Sequence, residues 1–123
     1  MRCLIVADGL QSNYRRGVLS LVILSLLARE DMYGYQIVQE IARCSAGAIL
    51  TQEGSLYPVL YKLLDQQLIS DKKVLVGKRM TRVYYHLEDA GKVQLQRLIQ
   101  EYEAVTQGVF LIIHGENREN EGK

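Results

Sequence analysis

Residues 69–87 decide the fold: Ile69-Ser70-Asp71-Lys72-Lys73-Val74-Leu75-Val76-Gly77-Lys78-Arg79-Met80-Thr81-Arg82-Val83-Tyr84-Tyr85-His86-Leu87. Before this stretch the apolar residues recur with a helical period of 3.6; within it the period falls to 2. Thr81, Val83, Tyr85 and Leu87 alternate with Arg82, Tyr84 and His86, which predicts a half-buried strand. Ile69 to Leu75 is long enough to pair with it, and Val76 to Met80 supplies the connecting loop. Lys72, Lys73, Lys78, Arg79 and Arg82 put five cations between residues 72 and 82, with no acid among them. The segment reads as a basic β-hairpin.

On the N-terminal side lie three predicted helices. In the first, Leu19, Val22, Ile23, Leu26 and Leu27 share one face, Ser12 or Asn13 is placed to cap it, and Arg29-Glu30-Asp31 ends it. Asp31 is then suited to cap a second helix carrying Ile37, Val38, Ile41 and Ala42, with Gly47 fit for the left-handed stop. Ala48-Ile49-Leu50 forms a short apolar link, compatible with one extended strand. The third helix carries Leu56, Val59, Leu60, Leu63 and Leu64 on one face. Pro58 lacks an amide hydrogen and belongs in the first turn. Ser55, Tyr57, Tyr61, Lys62 and Gln66 occupy the opposite face.

On the C-terminal side the helical period returns at Glu88 and runs to about Ile113. Leu95, Leu98, Tyr102, Val105, Val109 and Ile112 are spaced 3, 4, 3, 4, 3, an a/d seam of the coiled-coil type. At 1.5 Å per residue this helix is on the order of 40 Å long, more than the small N-terminal unit can cover. The expected architecture is mostly α with a small β-hairpin: a winged helix-turn-helix plus a long C-terminal dimerisation helix. Its divisions are an N-terminal arm (1–13), a winged helix-turn-helix (14–87), a dimerisation helix (88–114) and a flexible tail (115–123).

Composition agrees with one packed domain. The 123 residues are 48% hydrophobic and 24% charged, with a formal net charge of +1. That near-neutral total hides a split: residues 1–87 carry 11 Lys/Arg against 7 Asp/Glu, and residues 88–123 carry 4 against 7. Two ends with opposite charge suggest two tasks. Cys3 and Cys44 are too few for a disulfide framework, and Cys44, at the end of an apolar helix, reads as a packing residue. The longest apolar stretch, Val18 to Ala28, is about half a membrane span. A cytoplasmic protein with reduced thiols is expected, without a membrane partner.

The polar face of the third helix suits a recognition helix. Hydroxyl, aromatic and ammonium groups from its N-terminal half reach base edges and phosphates in a major groove. Any surface helix has a polar face, but two tyrosines held in solvent favour contact. Cations crowded at a hairpin tip repel one another and gain from a neighbouring polyanion. A solvated edge strand keeping lysines against aggregation accounts for Lys72 and Lys73 equally well; Lys78, Arg79 and Arg82, around Gly77, are better explained by phosphate. Duplex DNA is therefore the expected partner, with a second copy of the chain along the seam. His86 and His114 have no neighbours at metal-ligand spacing, and no phosphate loop or nucleophile elbow is present, so neither an enzyme, a metal nor a cofactor is expected. The alternative from another class is an interaction adaptor that uses the heptad helix and hairpin without reading DNA.

Tyr33-Gly34-Tyr35, Gly54-Ser55-Leu56-Tyr57-Pro58-Val59-Leu60, Leu63-Leu64 with Leu68-Ile69, Tyr84-Tyr85-His86-Leu87 and Ala90-Gly91 resemble the PadR family of transcriptional regulators over roughly residues 15–113. The single C-terminal helix is similar to the short-armed subfamily, which includes multidrug-responsive repressors. The resemblance implies a homodimeric, ligand-responsive repressor acting on a pseudo-palindromic operator. It carries recognition-helix contacts over to Ser55, Tyr57, Pro58 and Lys62, and wing contacts to Gly77, Lys78 and Arg79. It aligns Tyr102 with an interface aromatic of multidrug-binding members, which makes Tyr102 the candidate contact for a planar apolar inducer. Gln67 replaces the usual glycine after the recognition helix, and Glu88 stands where a capping threonine is common. The wing tip has one glycine, Gly77, where the family usually has more or an Arg-Pro turn.

Overall fold

A computed structural model describes the backbone of residues 10–115 and the side chains of residues 17–115. The elements run α1 (Leu10–Leu27), β1 (Met32–Tyr33), α2 (Gly34–Cys44), α3 (Glu53–Asp65), β2 (Ile69–Val76), β3 (Met80–Leu87) and α4 (Asp89–His114). This is a winged helix-turn-helix with an added C-terminal helix, as the change of period predicts.

The core is built from the apolar faces read in the sequence. Ile23, Leu24, Ile37, Leu56 and Leu60 are fully buried, with Leu19, Leu26, Leu27, Ile41, Leu63, Ile69, Tyr85 and Leu87 around them. Each large aliphatic removed from water contributes about 1.5–3 kcal/mol, so the helical stripes of α1 to α3 define one cluster. The apolar side of the hairpin closes it from below.

Several local expectations are corrected. Helix α1 starts at Leu10, so Ser12 and Asn13 lie within it rather than capping it, and the proposed arm at 1–13 overlaps the helix; its residues 1–9 lie outside the described residues, as does the tail beyond Gly115. Asp31 does not cap α2. The N-cap is Tyr33, whose backbone N–H donates to Gln36 Oε1 at 3.4 Å, while Asp31 faces His86 Nδ1 at 2.8 Å. Met32 and Tyr33 add a third strand, pairing with Tyr85 and Tyr84, so the hairpin belongs to a sheet of order β1-β3-β2. Residues 48–50 form no strand; the Ile49 N–H is held by Ser45 Oγ at 3.0 Å.

Helix stops follow one pattern at α2 and α3. Gly47 N–H donates to the Ala42 carbonyl (2.8 Å) and Ala46 N–H to Arg43 (3.1 Å). Leu68 N–H donates to Leu63 (3.0 Å) and Gln67 N–H to Leu64 (2.9 Å). Both are Schellman closures, in which the left-handed residue is usually glycine. Here those residues are Ala46 (φ 55°) and Gln67 (φ 63°); after α2 the left-handed backbone continues into the expected Gly47 (φ 82°). Cys44 is exposed rather than packed: Arg29 Nη1 donates to its Sγ at 3.4 Å.

Helix α4 is seated directly on the α3–β2 junction. Glu88 N–H donates to the Leu68 carbonyl at 3.0 Å, and Ser70 Oγ donates to Glu88 Oε2 at 2.5 Å. The Glu88 side chain thus ties the helix to β2 instead of capping it. A Cβ on Gly91 would run into the Leu68 carbonyl oxygen and Leu87, so only glycine permits this approach. From that anchor α4 runs antiparallel to α1. Its start, Lys92 to Gln96, lies beside Leu27 and Ala28, and its later residues Val105 and Val109 face Gly17 and Val18.

Candidate nucleic-acid interface

Gln52 is the N-cap of α3, and Glu53 in the first turn complements the helix dipole. Pro58 is therefore the sixth helical residue, in the second turn rather than the first. Its ring denies a donor to the Gly54 carbonyl, and Gly54 is exposed, so that oxygen stays open to solvent. Ser55, Pro58, Lys62 and Gln66 recur at i, i+3, i+7 and i+11 and are all exposed, with Tyr61 beside them at 60% exposure. One outward face therefore carries a hydroxyl, a phenol, an ammonium and an amide.

Tyr57 does not belong wholly to that face. It is half buried, with its hydroxyl end over Gly34 so closely that any Cβ there would collide with it. The motif residues Gly34 and Tyr57 thus lock the start of α2 against α3, correcting the picture of two tyrosines standing in solvent. Burial, with Glu53 nearby, pushes the Tyr57 phenol above its ordinary pKa. Its ring lies 6.1 Å from that of Tyr61. The neighbouring Tyr85, buried beneath them, is pushed up to about 12, chiefly by desolvation.

The wing is more two-sided than the run of cations suggests. The register pairs Lys73 with Val83, Leu75 with Thr81 and Ile69 with Leu87, so Lys73 is on the face that packs on the helices. Lys72 pairs with Tyr84 and Val74 with Arg82, which places Lys72 and Arg82 on the other face. There the Arg82 guanidinium lies 4.3 Å from the centre of the Tyr33 ring, and Tyr33 meets Tyr84 edge-on at 5.4 Å. Arg82 is therefore positioned by stacking, away from the α3 surface. Between the faces, Gly77 (φ 72°), Lys78 and Arg79 form the tip between the paired Val76 and Met80, and the tip is fully exposed. Among the described residues no acid forms an ion pair with Lys72, Lys73, Lys78 or Arg79. A loop with φ in the left-handed region at its glycine and free cations at its end is shaped to approach a phosphate backbone.

The seam on α4 divides in two. Leu95 is only 6% exposed because the chain's own core covers it, and Leu98 packs against the same core. Of the expected dimerisation residues, Leu95 is thus already buried within one protomer. Val105, Val109 and Ile112 are exposed, Ile112 at 80%. Tyr102 is half buried and lies between two apolar grooves along α1. One, of about 360 Å³, involves Val22, Ile41 and Ile99; the other, of about 540 Å³, involves Gly17, Leu21 and Val105. Among the described residues no cluster of His, Cys, Asp or Glu could hold a metal, and no helix is long and apolar enough to cross a membrane.

Fold and surface together define a winged helix-turn-helix regulator. The profile of the Transcriptional regulator PadR-like family matches residues 23–97, and the chain belongs to that family of transcriptional regulators, not of enzymes. A Lysinibacillus sphaericus protein is 31% identical over 105 residues, covering 85% of this chain and 96% of that protein. The crystal structure of a PadR family transcriptional regulator from Eggerthella lenta superimposes with a TM-score of 0.75 at 29% identity, covering 89% of this chain and 92% of that one. The negative transcriptional regulator PadR of Bacillus subtilis is 26% identical over 92 residues, 75% of this chain and 50% of that protein. Its structure in complex with operator DNA matches with a TM-score of 0.63 at 28% identity, covering 67% of this chain and 47% of that one. The chain thus spans about half the length of the Bacillus subtilis relative.

Proposed function

We propose that the chain is a cytoplasmic, homodimeric transcriptional repressor that binds duplex DNA through α3 and the wing tip and releases it on binding a planar apolar compound. The observation that carries the DNA reading is the exposed polar face of α3, formed by Ser55, Pro58, Tyr61 and Lys62, in the same domain as the exposed Lys78 and Arg79 at the wing tip. The likeness to a regulator solved on its operator supports it. Pairing of two copies through Val105, Val109 and Ile112 covers apolar surface that one protomer leaves in water, and a two-fold dimer offers two recognition helices about 34 Å apart to successive major grooves. Repression fits the likeness to the negative transcriptional regulator of Bacillus subtilis. Tyr102, an aromatic with a hydroxyl between two apolar grooves, has the mixture that drug-sized pockets use.

Selection from a random duplex pool tests the reading. A pseudo-palindrome with half-sites one helical turn apart is expected, lost in Lys62→Ala combined with Tyr61→Ala. An adaptor that reads no DNA would enrich no sequence. For the inducer, Tyr102→Ala should weaken planar apolar compounds by about 1–3 kcal/mol while the dimer persists, followed by tyrosine fluorescence quenching.

A further inference from the structure

Arg82 is a half-buried arginine held by aromatic rings rather than by a carboxylate. Its guanidinium lies 4.3 Å from the centre of the Tyr33 ring, and Tyr33 in turn meets Tyr84 edge-on. Among the described residues no acid forms an ion pair with Arg82. Further along this sheet face Asp31 is taken up by His86, and Asp71, paired with Tyr85, lies on the opposite face. A guanidinium stacked on a ring is fixed in place by its flat side, which leaves the N–H groups at its edge for an anion.

The fold puts that guanidinium at a defined point of the DNA-reading unit. Helices α2 and α3 form the helix-turn-helix pair, in which the second helix enters the major groove and the first crosses the sugar-phosphate backbone. Tyr33 is the N-cap of α2, and the next residue, Gly34, lies against the Tyr57 hydroxyl of α3. The Tyr57 ring is 6.1 Å from that of Tyr61, which stands on the exposed face of α3. The start of α2 is therefore fixed beside the recognition face, and Arg82 is stacked on the residue that begins it. Along β3, Arg82 is three residues from Arg79, roughly 10 Å at strand spacing. It thus stands between the wing tip and the point where α2 meets the backbone. An arginine suits that place, because its planar fork takes a phosphate while its face stays stacked.

Building on the DNA reading above, we propose that Tyr33 is a positioning residue: its ring holds the Arg82 guanidinium against a backbone phosphate where α2 crosses the duplex. This contact is separate from those of α3 and the wing tip. Affinity of the full chain for its selected duplex, followed against salt, is the test. Arg82→Gln should make the slope shallower by about 0.9 for each phosphate released. Arg82→Lys should keep the wild-type slope at lower affinity, since an ammonium carries the charge without the fork. Tyr33→Leu keeps every charge but loses the stack, and should weaken binding about two- to fivefold, the worth of an exposed cation–π contact. Tyr33→Phe retains the ring and should bind as the wild type does. In the Arg82→Gln background Tyr33→Leu should cost nothing further, a non-additivity that a merely structural Tyr33 would not show. Equal losses from Tyr33→Leu in both backgrounds would overturn the proposal and leave the DNA reading standing. So would a slope unchanged by Arg82→Gln when the wild type binds duplex steeply. A wild-type chain that binds no duplex would overturn both.

Discussion

Two residues carry the connection between the DNA-reading unit and α4. Gln67 holds a left-handed φ that costs an ordinary residue roughly 1–2 kcal/mol, and glycine there loses part of that gain through its freer unfolded chain. Gln67→Gly should therefore stabilise the protein by about 0.5–1 kcal/mol in urea unfolding. Gly91 shows the opposite sign. On helix propensity alone alanine is better by about 1 kcal/mol, but its Cβ would strike the Leu68 carbonyl, which is backbone and cannot swing aside. Gly91→Ala should cost about 1–3 kcal/mol as overpacking does, and a neutral or stabilising result would refute the close approach. Neither effect is legible in the residue alone. A glutamine by itself gives no sign of a left-handed turn, which only its standing in place of the family's usual glycine hints at, and a glycine early in a helix looks like a propensity fault until its neighbour across space is known. Tyr57 is the same kind of case, since helical spacing cannot tell a tyrosine at a groove from one leaning over Gly34.

At the scale of elements, the long periodic segments read well and the short or shared ones did not. Four helices and the hairpin follow from a period that changes twice, because burial against one core imposes it. The strand β1 is only two residues long, below any periodic signal, and exists because β3 offers it a partner at Tyr84 and Tyr85. The run of cations reads as one basic tip in the sequence; strand alternation instead sends Lys73 to one face and Lys72 with Arg82 to the other. Where the sheet meets α3, Tyr85 is held neutral by burial, with a pKa of about 12 against an ordinary 10.0. A phenol whose pKa is raised by folding contributes stability that is complete below pH 10 and lost as pH climbs towards 12. Unfolding free energy should fall across that alkaline window, and Tyr85→Phe should flatten the fall. An identical pH profile in the variant would assign the alkaline loss to other groups.

For the whole molecule, a heptad seam states that apolar residues line up without stating what covers them. Leu95 and, in part, Leu98 are covered by the chain itself, and the apolar seam becomes exposed from Val105 onward. Substitutions can separate the two zones. Val105→Asp with Ile112→Asp places charges only on exposed positions, so it should halve the sedimentation mass from twice 14.0 kDa to 14.0 kDa and leave the helical circular dichroism in place. Leu95→Asp buries a charge in the core and should unfold the chain instead. A wild-type mass of 14.0 kDa at micromolar concentration would remove the dimer from the account.

Binding of duplex DNA by α3 and the wing tip is tested most directly by its salt dependence. Each phosphate neutralised by a cation releases counterions, so the logarithm of the association constant falls linearly with the logarithm of salt, by about 0.9 per contact. For the wild-type chain on its selected duplex the slope should be steep. For Lys78→Ala with Arg79→Ala, whose side chains form no ion pair among the described residues, it should be shallower by about two units, with affinity lowered on every duplex alike. A slope and affinity unchanged by the double substitution would contradict the account at its centre.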